Sequence, residues 1–489
     1  MKQIINKIKE KDNAIFFGVF FLISLGISLN IYLDVNDEIW NFQNIYKMYC
    51  GFKIYDEINV IITPLFFWIN EVIFHIFGAN LFVFRIGHSL MITILFLITY
   101  KILKKLKIPK NISMLVVIFI VLQQFFMLIR VASNYNILAL LFFIIGIYFL
   151  LNEKTRKNIQ IQAIITILII LTKQTIGISY LLGNIIYICL LKKDKKEIIK
   201  QFLKYMSIVL AGGLVFIIYL IIDNNLLNFL NYTLGGITEF ANKNFIYELS
   251  SVVYLIGITL INIIISILFM KKQILDNNQK EIVKILFIFS IMLSCVCYPI
   301  FNWTHIIMGT YLMIINITYI IYLLFKEFED KIICIVKVIN TFIILVMIIF
   351  SCFNLYTWFE NITSNEYPYS WEDPFFGGIL QREEYEHNEK VIKYIEQNQK
   401  NVIVVSDRAA LYMVPLKKNN GDFDLPFRGN LGSEGENGLI KKVENMKNTQ
   451  FLIYKNKENS SYQESEKVKE YIKNTKKYVG EIEEFEIYE

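Results

Sequence analysis

Cysteine is scarce in this sequence and poorly placed for either of its structural uses. Of the six cysteines, Cys189, Cys295, Cys297, Cys334 and Cys352 fall in or beside apolar runs, and only Cys50 sits clearly in a loop. No thiol follows residue 354. A disulfide framework is thereby excluded, and Cys295 and Cys297, two apart within an apolar run, lack the setting of a zinc knuckle. A phosphate-binding loop is missing as well. Gly421, Gly429, Gly432, Gly435 and Gly438 punctuate a connecting loop, but without a Gly-Lys-Ser/Thr ending or a strand–turn–helix setting. The first apolar run, Ala14 to Leu33, follows Lys2, Lys7, Lys9 and Lys11 and is closed by no small-x-small cleavage site. It has full membrane length, so an uncleaved first span is expected rather than a signal peptide. The inverted repeat of many transporters is absent, and the apolar runs carry almost no charge at their centres.

What the sequence does have is apolar bulk. Its 489 residues are 55% hydrophobic, with a mean hydropathy of +0.46, which is the composition of a polytopic membrane protein. The net charge of +6 is mild and gives no reason to expect a nucleic-acid partner. The apolar character stops near Leu355, dividing the chain into a membrane domain over 1–354 and a soluble domain over 355–489.

Lysine placement sets the expected topology. Clusters occur at Lys101–Lys110, at Lys154, Arg156 and Lys157, at Lys192–Lys196, at Lys271, Lys272 and Lys280, and at Lys326 and Lys331. The positive-inside rule puts these clusters and the N-terminus in the cytoplasm. About eleven spans follow, near 14–33, 82–100, 111–129, 136–151, 159–172, 176–191, 203–222, 250–270, 281–299, 306–325 and 332–353. The odd count places the tail outside the cytoplasmic membrane of a bacterium. The stretch Thr63–Phe77, short and carrying Glu71 and His75 a turn apart, is expected as an interfacial helix rather than a span. The stretch 159–191 is too long for one span and breaks at Lys173. The expected outer loops are 34–81, 130–135, 172–175, 223–249 and 300–305.

The tail reads as α/β. Helices are expected over Asn388–Gln397 and around Val468–Ile472, and strands at Val402–Val405, Phe451–Tyr454 and Ile482–Ile487.

Carboxylates at a bilayer edge mark chemistry or a substrate path more often than chance placement would. Asp34, Asp37 and Glu38, at i, i+3 and i+4 of a helix expected after the first span, would share one face. One of them could act as a general base on an acceptor hydroxyl attacking an anomeric carbon; the alternative is a solvated loop that merely ends a span. A phosphate-linked sugar already has a good leaving group, so the second acid of glycoside hydrolysis is not required. The departing phosphate does call for cations, and Lys53, Arg85, Arg130, Lys173 and His305 are the outer-face candidates. Each cation is weighed against simple snorkelling to the interface, and His305, in Asn302-Trp303-Thr304-His305, against a role as a polar helix cap. His75 with Glu71 is too small a set for a metal site. No structural metal or cofactor is expected, and a loosely held Mg²⁺ or Mn²⁺ at the acidic cluster is the open alternative.

These residues resemble those of the GT-C superfamily of polyprenyl-phosphate-sugar-dependent glycosyltransferases, in particular the protein O-mannosyltransferase and aminoarabinose transferase families. The likeness is carried by Asp37-Glu38, Gly51, Tyr55-Asp56, Pro64-Leu65, Phe77-Gly78 and Arg85, in that order, and is strongest over 34–88. The resemblance implies a multi-span helical bundle with interfacial helices and a lipid-side entrance for the donor. It also implies Asp37 as catalytic base with Glu38 beside it assisting placement, and substrate contacts from the neighbouring loop residues, Asp34, Lys53, Tyr55 and Asp56 among them. Ser133-Asn134-Tyr135-Asn136 departs from the pattern, because many members carry an acid in this second outer loop. The expected activity is inverting transfer of a hexosyl or pentosyl group from a polyprenyl-phosphate-linked donor to an extracytoplasmic glycan, lipid-linked glycan or protein. The rival readings are a flippase for a lipid-linked glycan and an inactive scaffold whose tail binds a partner.

Overall fold

The computed structural model describes residues 2–33, 37–127, 135–152, 158–191, 194–238, 246–271, 276–326, 329–380, 382–424, 431–455 and 465–489. The chain is mostly helical. In order come α1 (Lys2–Leu29), α2 (Asp37–Tyr49), α3 (Leu65–Phe77), α4 (Leu81–Lys105), α5 (Lys110–Met127), α6 (Tyr135–Leu150), α7 (Ile159–Thr172), α8 (Gln174–Leu191), α9 (Lys195–Ile222) and a short α10 (Leu226–Leu230). After strand β1 (Ile246–Tyr247) follow α11 (Leu249–Lys271), α12 (Asn277–Ser294), β2 (Ile300–Phe301), α13 (Trp303–Phe325) and α14 (Glu329–Thr363). Two compact units result. One comprises residues 1–28, 86–216 and 246–356; the other comprises 29–85, 217–245 and 357–489.

Each of the eleven apolar runs lies on a helix of the first unit or extends from it. Six helices among the described residues are long and apolar enough to cross a membrane: Lys11–Leu29, Leu81–Lys105, Lys195–Ile222, Leu249–Lys271, Trp303–Phe325 and Ile333–Thr363. Helices α5, α6, α7 and α8 are apolar but shorter. The run at 281–299 is not one continuous helix, because α12 ends at Ser294 in a 3₁₀ turn over Cys295–Cys297. The last apolar helix runs past residue 355, to Thr363. The break at Lys173 is real: that residue is extended (φ −152°, ψ 110°) and ends α7.

Inside this unit, packing is aromatic and the buried polar groups are neutral. Phe16 stacks on Tyr100 with ring centroids 4.7 Å apart. Asn316 donates to Asn262 Oδ1 (2.8 Å) and Ser266 Oγ (2.9 Å), while Asn262 donates to Ser290 Oγ (3.0 Å). Such interhelical bonds satisfy polar groups that lipid cannot.

The second unit ends in a four-stranded sheet built from β3 (Asn401–Val405), β4 (Thr449–Tyr454), β5 (Tyr478–Ile482) and β6 (Phe485–Tyr488), in the order β3-β4-β6-β5. Strands β3 and β4 run parallel, and the other pairs are antiparallel. Strand alternation sends Ile403, Val405, Phe451 and Ile453 to a core shared with α17 (Gly435–Asn445) and α18 (Glu466–Thr475). Val402, Val404 and Leu452 go to a second core under α15 (Arg382–Gln397) and α16 (Ala409–Met413). Both faces are covered, which is why β3 and β4 read as continuous apolar runs.

Two tail expectations are corrected. Ile482–Ile487 is a hairpin rather than one strand, turning at Glu483, which takes a left-handed φ of 46°. Gly435 and Gly438 lie in helix α17 rather than in a connecting loop. The buried Leu439 and Val443, four apart, bring that helix onto the sheet despite the glycines.

Candidate functional site

Helix α2 begins at Asp37, and its first two residues diverge. Asp37 is exposed and Glu38 is fully buried. Successive helical residues point about 100° apart, so the expectation of a single acidic face is corrected. Asp34 lies outside the described residues. The main-chain carbonyl of Asp37 accepts a hydrogen bond from Asn41 Nδ2 at 2.7 Å, fixing the first turn.

Glu38 is held by Arg85 from the first turn of α4. The guanidinium grips the carboxylate with both prongs, Nε to Oε1 at 2.7 Å and Nη2 to Oε2 at 2.9 Å. Arg85 Nη1 donates to the carbonyls of Leu29 (3.1 Å), Ile31 (3.1 Å) and Gly377 (3.3 Å). Gly377 is itself anchored: its carbonyl also accepts from Trp358 Nε1 (3.1 Å), and its N–H donates to Tyr367 Oη (2.7 Å). The bidentate geometry is the strong form of a carboxylate–arginine pair. Neither side chain is more than 1% exposed. Arg85 is expected from the sequence to meet a departing phosphate and Glu38 to assist at the substrate; in the structure both are committed to each other and to main-chain carbonyls.

The loop after α2 is tied down by its own residues. Tyr55 has a left-handed φ of 68° and is fully buried. Its phenol donates to Ile62 O at 2.9 Å, and its ring meets Phe229 edge-on at 5.1 Å. Burial pushes this phenol well above its ordinary range. Tyr55 therefore shapes the loop from within, correcting its expected place as a substrate contact. Lys53 and Asp56 remain exposed, with Lys53 Nζ 3.4 Å from Asp223 and Asp56 accepting from Asn228 at 3.4 Å. Helix α3, capped at Pro64, is 13 residues long, the short segment expected there.

A second buried ion pair was not foreseen. Lys47 of α2 contacts Asp424, and their side chains are 3% and 1% exposed. Burial pulls the Lys47 ammonium down, to about 7, and Asp422 opposes that shift. Asp422 in turn accepts from Tyr232 Oη at 2.8 Å and pairs with Lys442. The available signal was a lysine inside a helix whose neighbours Ile45, Tyr46 and Met48 are all buried. At the C-terminal end of α2, a cavity of about 410 Å³ is lined by Tyr49, Cys50, Phe52, His75 and Lys417.

In the first unit, Lys173 donates to Asn136 Oδ1 and lies 5.4 Å from the Tyr135 ring centroid. Asn136 belongs to the tetrapeptide where the resemblance leads one to expect an acid, and here it receives a cation. His305 is half-buried at the start of α13, its Nδ1 2.7 Å from Asn302 Oδ1, which also caps the helix through His305 N–H at 3.1 Å. Its surroundings are those of the helix cap. Arg130 lies outside the described residues.

Asp37 and Glu38 do not converge on a metal position. Among the described residues, the metal-type group is His387, Glu483 and Glu484 in the tail, with ligand atoms within 4.8 Å of one another. Lys390 Nζ stands 2.9 Å from Glu483 and already answers its charge.

Residues 62–222 match the dolichyl-phosphate-mannose-protein mannosyltransferase family, in line with the resemblance read from the motifs. No curated protein sequence matches the chain. Two crystal structures of ArnT from Cupriavidus metallidurans are similar to it. The apo form has 9% identity and a TM-score of 0.43, covering 98% of each chain. The form bound to undecaprenyl phosphate has 8% identity and a TM-score of 0.43, covering 97% of each.

Proposed function

We propose, taking the family likeness of residues 62–222 as the premise, that this chain is a multi-pass membrane glycosyltransferase. It moves a hexosyl or pentosyl group from a polyprenyl-phosphate donor to a glycan, lipid-linked glycan or protein acceptor outside the bacterial cytoplasmic membrane. The observation that carries the reading is the exposed Asp37 carboxylate at the start of α2, backed by the buried Glu38–Arg85 pair. In this mechanism Asp37 takes the acceptor hydroxyl's proton as that oxygen attacks the anomeric carbon from the face opposite the phosphate. The phosphate leaves as a dianion or monoanion with the carrier lipid, and the configuration inverts. Lys53, exposed and 3.4 Å from Asp223, is one cation of the same unit that meets that phosphate in this reading. No metal is required.

The topology that accompanies the mechanism has eleven crossings, with the N-terminus cytoplasmic and the tail outside as an α/β domain. The lysine clusters between helices support it through the positive-inside rule. Helices α7 and α8 are short, at 14 and 18 residues. As a hairpin they return the chain to the side it left, so their depth does not alter the side on which the tail emerges.

The test is transfer from a panel of radiolabelled polyprenyl-phosphate sugars by purified protein and by Asp37→Asn, with detergent monodispersity as the folding check. The variant should lose about 10²–10⁴-fold in rate with one donor. Undiminished transfer would remove Asp37 from the base role.

A further inference from the structure

The cavity at the C-terminal end of α2 is chemically unlike the Asp37 end. Tyr49 and His75 pack ring to ring, with centroids 4.8 Å apart and planes at 45°, and Phe52 adds a further aromatic surface. Lys417 supplies a cation, exposed to solvent, and among the described residues no carboxylate lines the space. Its backbone is fixed in a left-handed turn (φ 52°), with its N–H donating to Val414 O at 3.0 Å. Cys50 is half-buried and lines the same space as Lys417. Burial pushes the thiol up, leaving Lys417 as the fixed charge of the site.

Aromatic surface with a few convergent polar groups is how proteins hold a small, partly apolar ring. A pyranose has such a ring, with a face of C–H groups, and a 410 Å³ space accommodates one or two of them. The unopposed lysine selects for negative charge on the ring. We propose that this cavity seats a pyranose residue bearing an anionic group, a carboxylate or a phosphate, within the acceptor glycan; the assignment to the acceptor rests on the transferase reading above. Asp37 and Tyr49 are the two ends of α2, about 18 Å apart at 1.5 Å per residue. The anionic ring is thus held remote from the reacting hydroxyl, and its binding energy serves to orient the acceptor.

Cys50 provides a reporter that needs no donor. The full-length protein in detergent would be alkylated with uncharged iodoacetamide, and the Cys50 peptide followed by mass spectrometry. The competitors are methyl glucuronoside, glucose 6-phosphate, methyl glucoside and inorganic phosphate. Protection by the glucuronoside, the sugar phosphate or both is expected, reaching about tenfold slowing at ten times Kd by mass action; which of the two protects identifies the anion. Lys417→Ala should reduce the preference for charged over neutral sugar by about two- to fivefold, the scale of an exposed ion pair. Rates are compared with and without sugar in each variant, because Lys417 also alters the thiol itself. Tyr49→Ala should remove protection by every sugar. Equal protection by methyl glucoside, equal protection by inorganic phosphate, or no protection would each overturn the proposal. Since alkylation involves no transfer, a failed donor assay leaves this result standing, and a failure here leaves the Asp37 test untouched.

Discussion

In the unit of long apolar helices, fully buried polar contacts among the described residues include neutral ones: Asn316 with Asn262 and Ser266, Thr99 with Tyr311 at 2.8 Å, and Thr166 with Tyr205 at 2.7 Å. In the other unit two fully buried contacts among the described residues are ionic, Glu38 with Arg85 and Lys47 with Asp424, and both hold helix α2. Neutral pairs satisfy helix interiors at small cost. Buried charges need exacting geometry to offset their desolvation, and often stabilise no better than apolar replacements. Charge has therefore been concentrated on one 13-residue helix. The contrast poses a test of whether these pairs serve fixed position rather than stability.

Breaking one partner tests this most severely. Arg85→Ala leaves Glu38 buried and unpaired, and should lower unfolding stability by about 3–5 kcal/mol, read as a fall in the detergent melting curve. Glu38→Met combined with Arg85→Met should recover most of that loss. If stability returns while sugar transfer does not, the ion pair serves position; if both return, the contrast between the units carries no functional meaning. Lys47→Met should fall between these cases, removing a buried cation but stranding Asp424, with a loss of about 2–4 kcal/mol. Adding Asp424→Leu should reduce that loss. The smallest effect is expected in the helical unit, where Asn316→Ala should cost about 0.6–2 kcal/mol. A loss there as large as that of Arg85→Ala would erase the distinction.

The helices were largely legible because hydropathy and lysine placement are local signals. The break at Lys173, the short helix at Leu65–Phe77 and the strands at Val402–Val405 and Phe451–Tyr454 all stand where the sequence placed them. The two ion pairs were not legible, since their partners are 47 and 377 residues apart and no periodicity links them. The sequence marks Arg85 as a cation but not the Glu38 carboxylate and three carbonyls that surround it. The acidic face failed for a local reason: the helix starts at Asp37, which stays exposed while Glu38 turns inward to Arg85. The hairpin at Glu483 escaped because its turn carries neither glycine nor asparagine. The glycines of α17 misled in the opposite direction, their low propensity outweighed by burial of Leu439 and Val443.

The reach of Arg85 to the Gly377 carbonyl, 292 residues further along the chain, has a consequence for biogenesis. Asp37, Glu38 and Arg85 are all made early, yet the guanidinium acquires its last carbonyl only after residue 377 has left the ribosome. During that interval the nascent α2 has its carboxylate and its arginine but not the Gly377 carbonyl that completes their setting. The maturation of this segment is thus deferred until residue 377 has been made, and a ribosome stalled before it would leave a chain with this clamp unfinished.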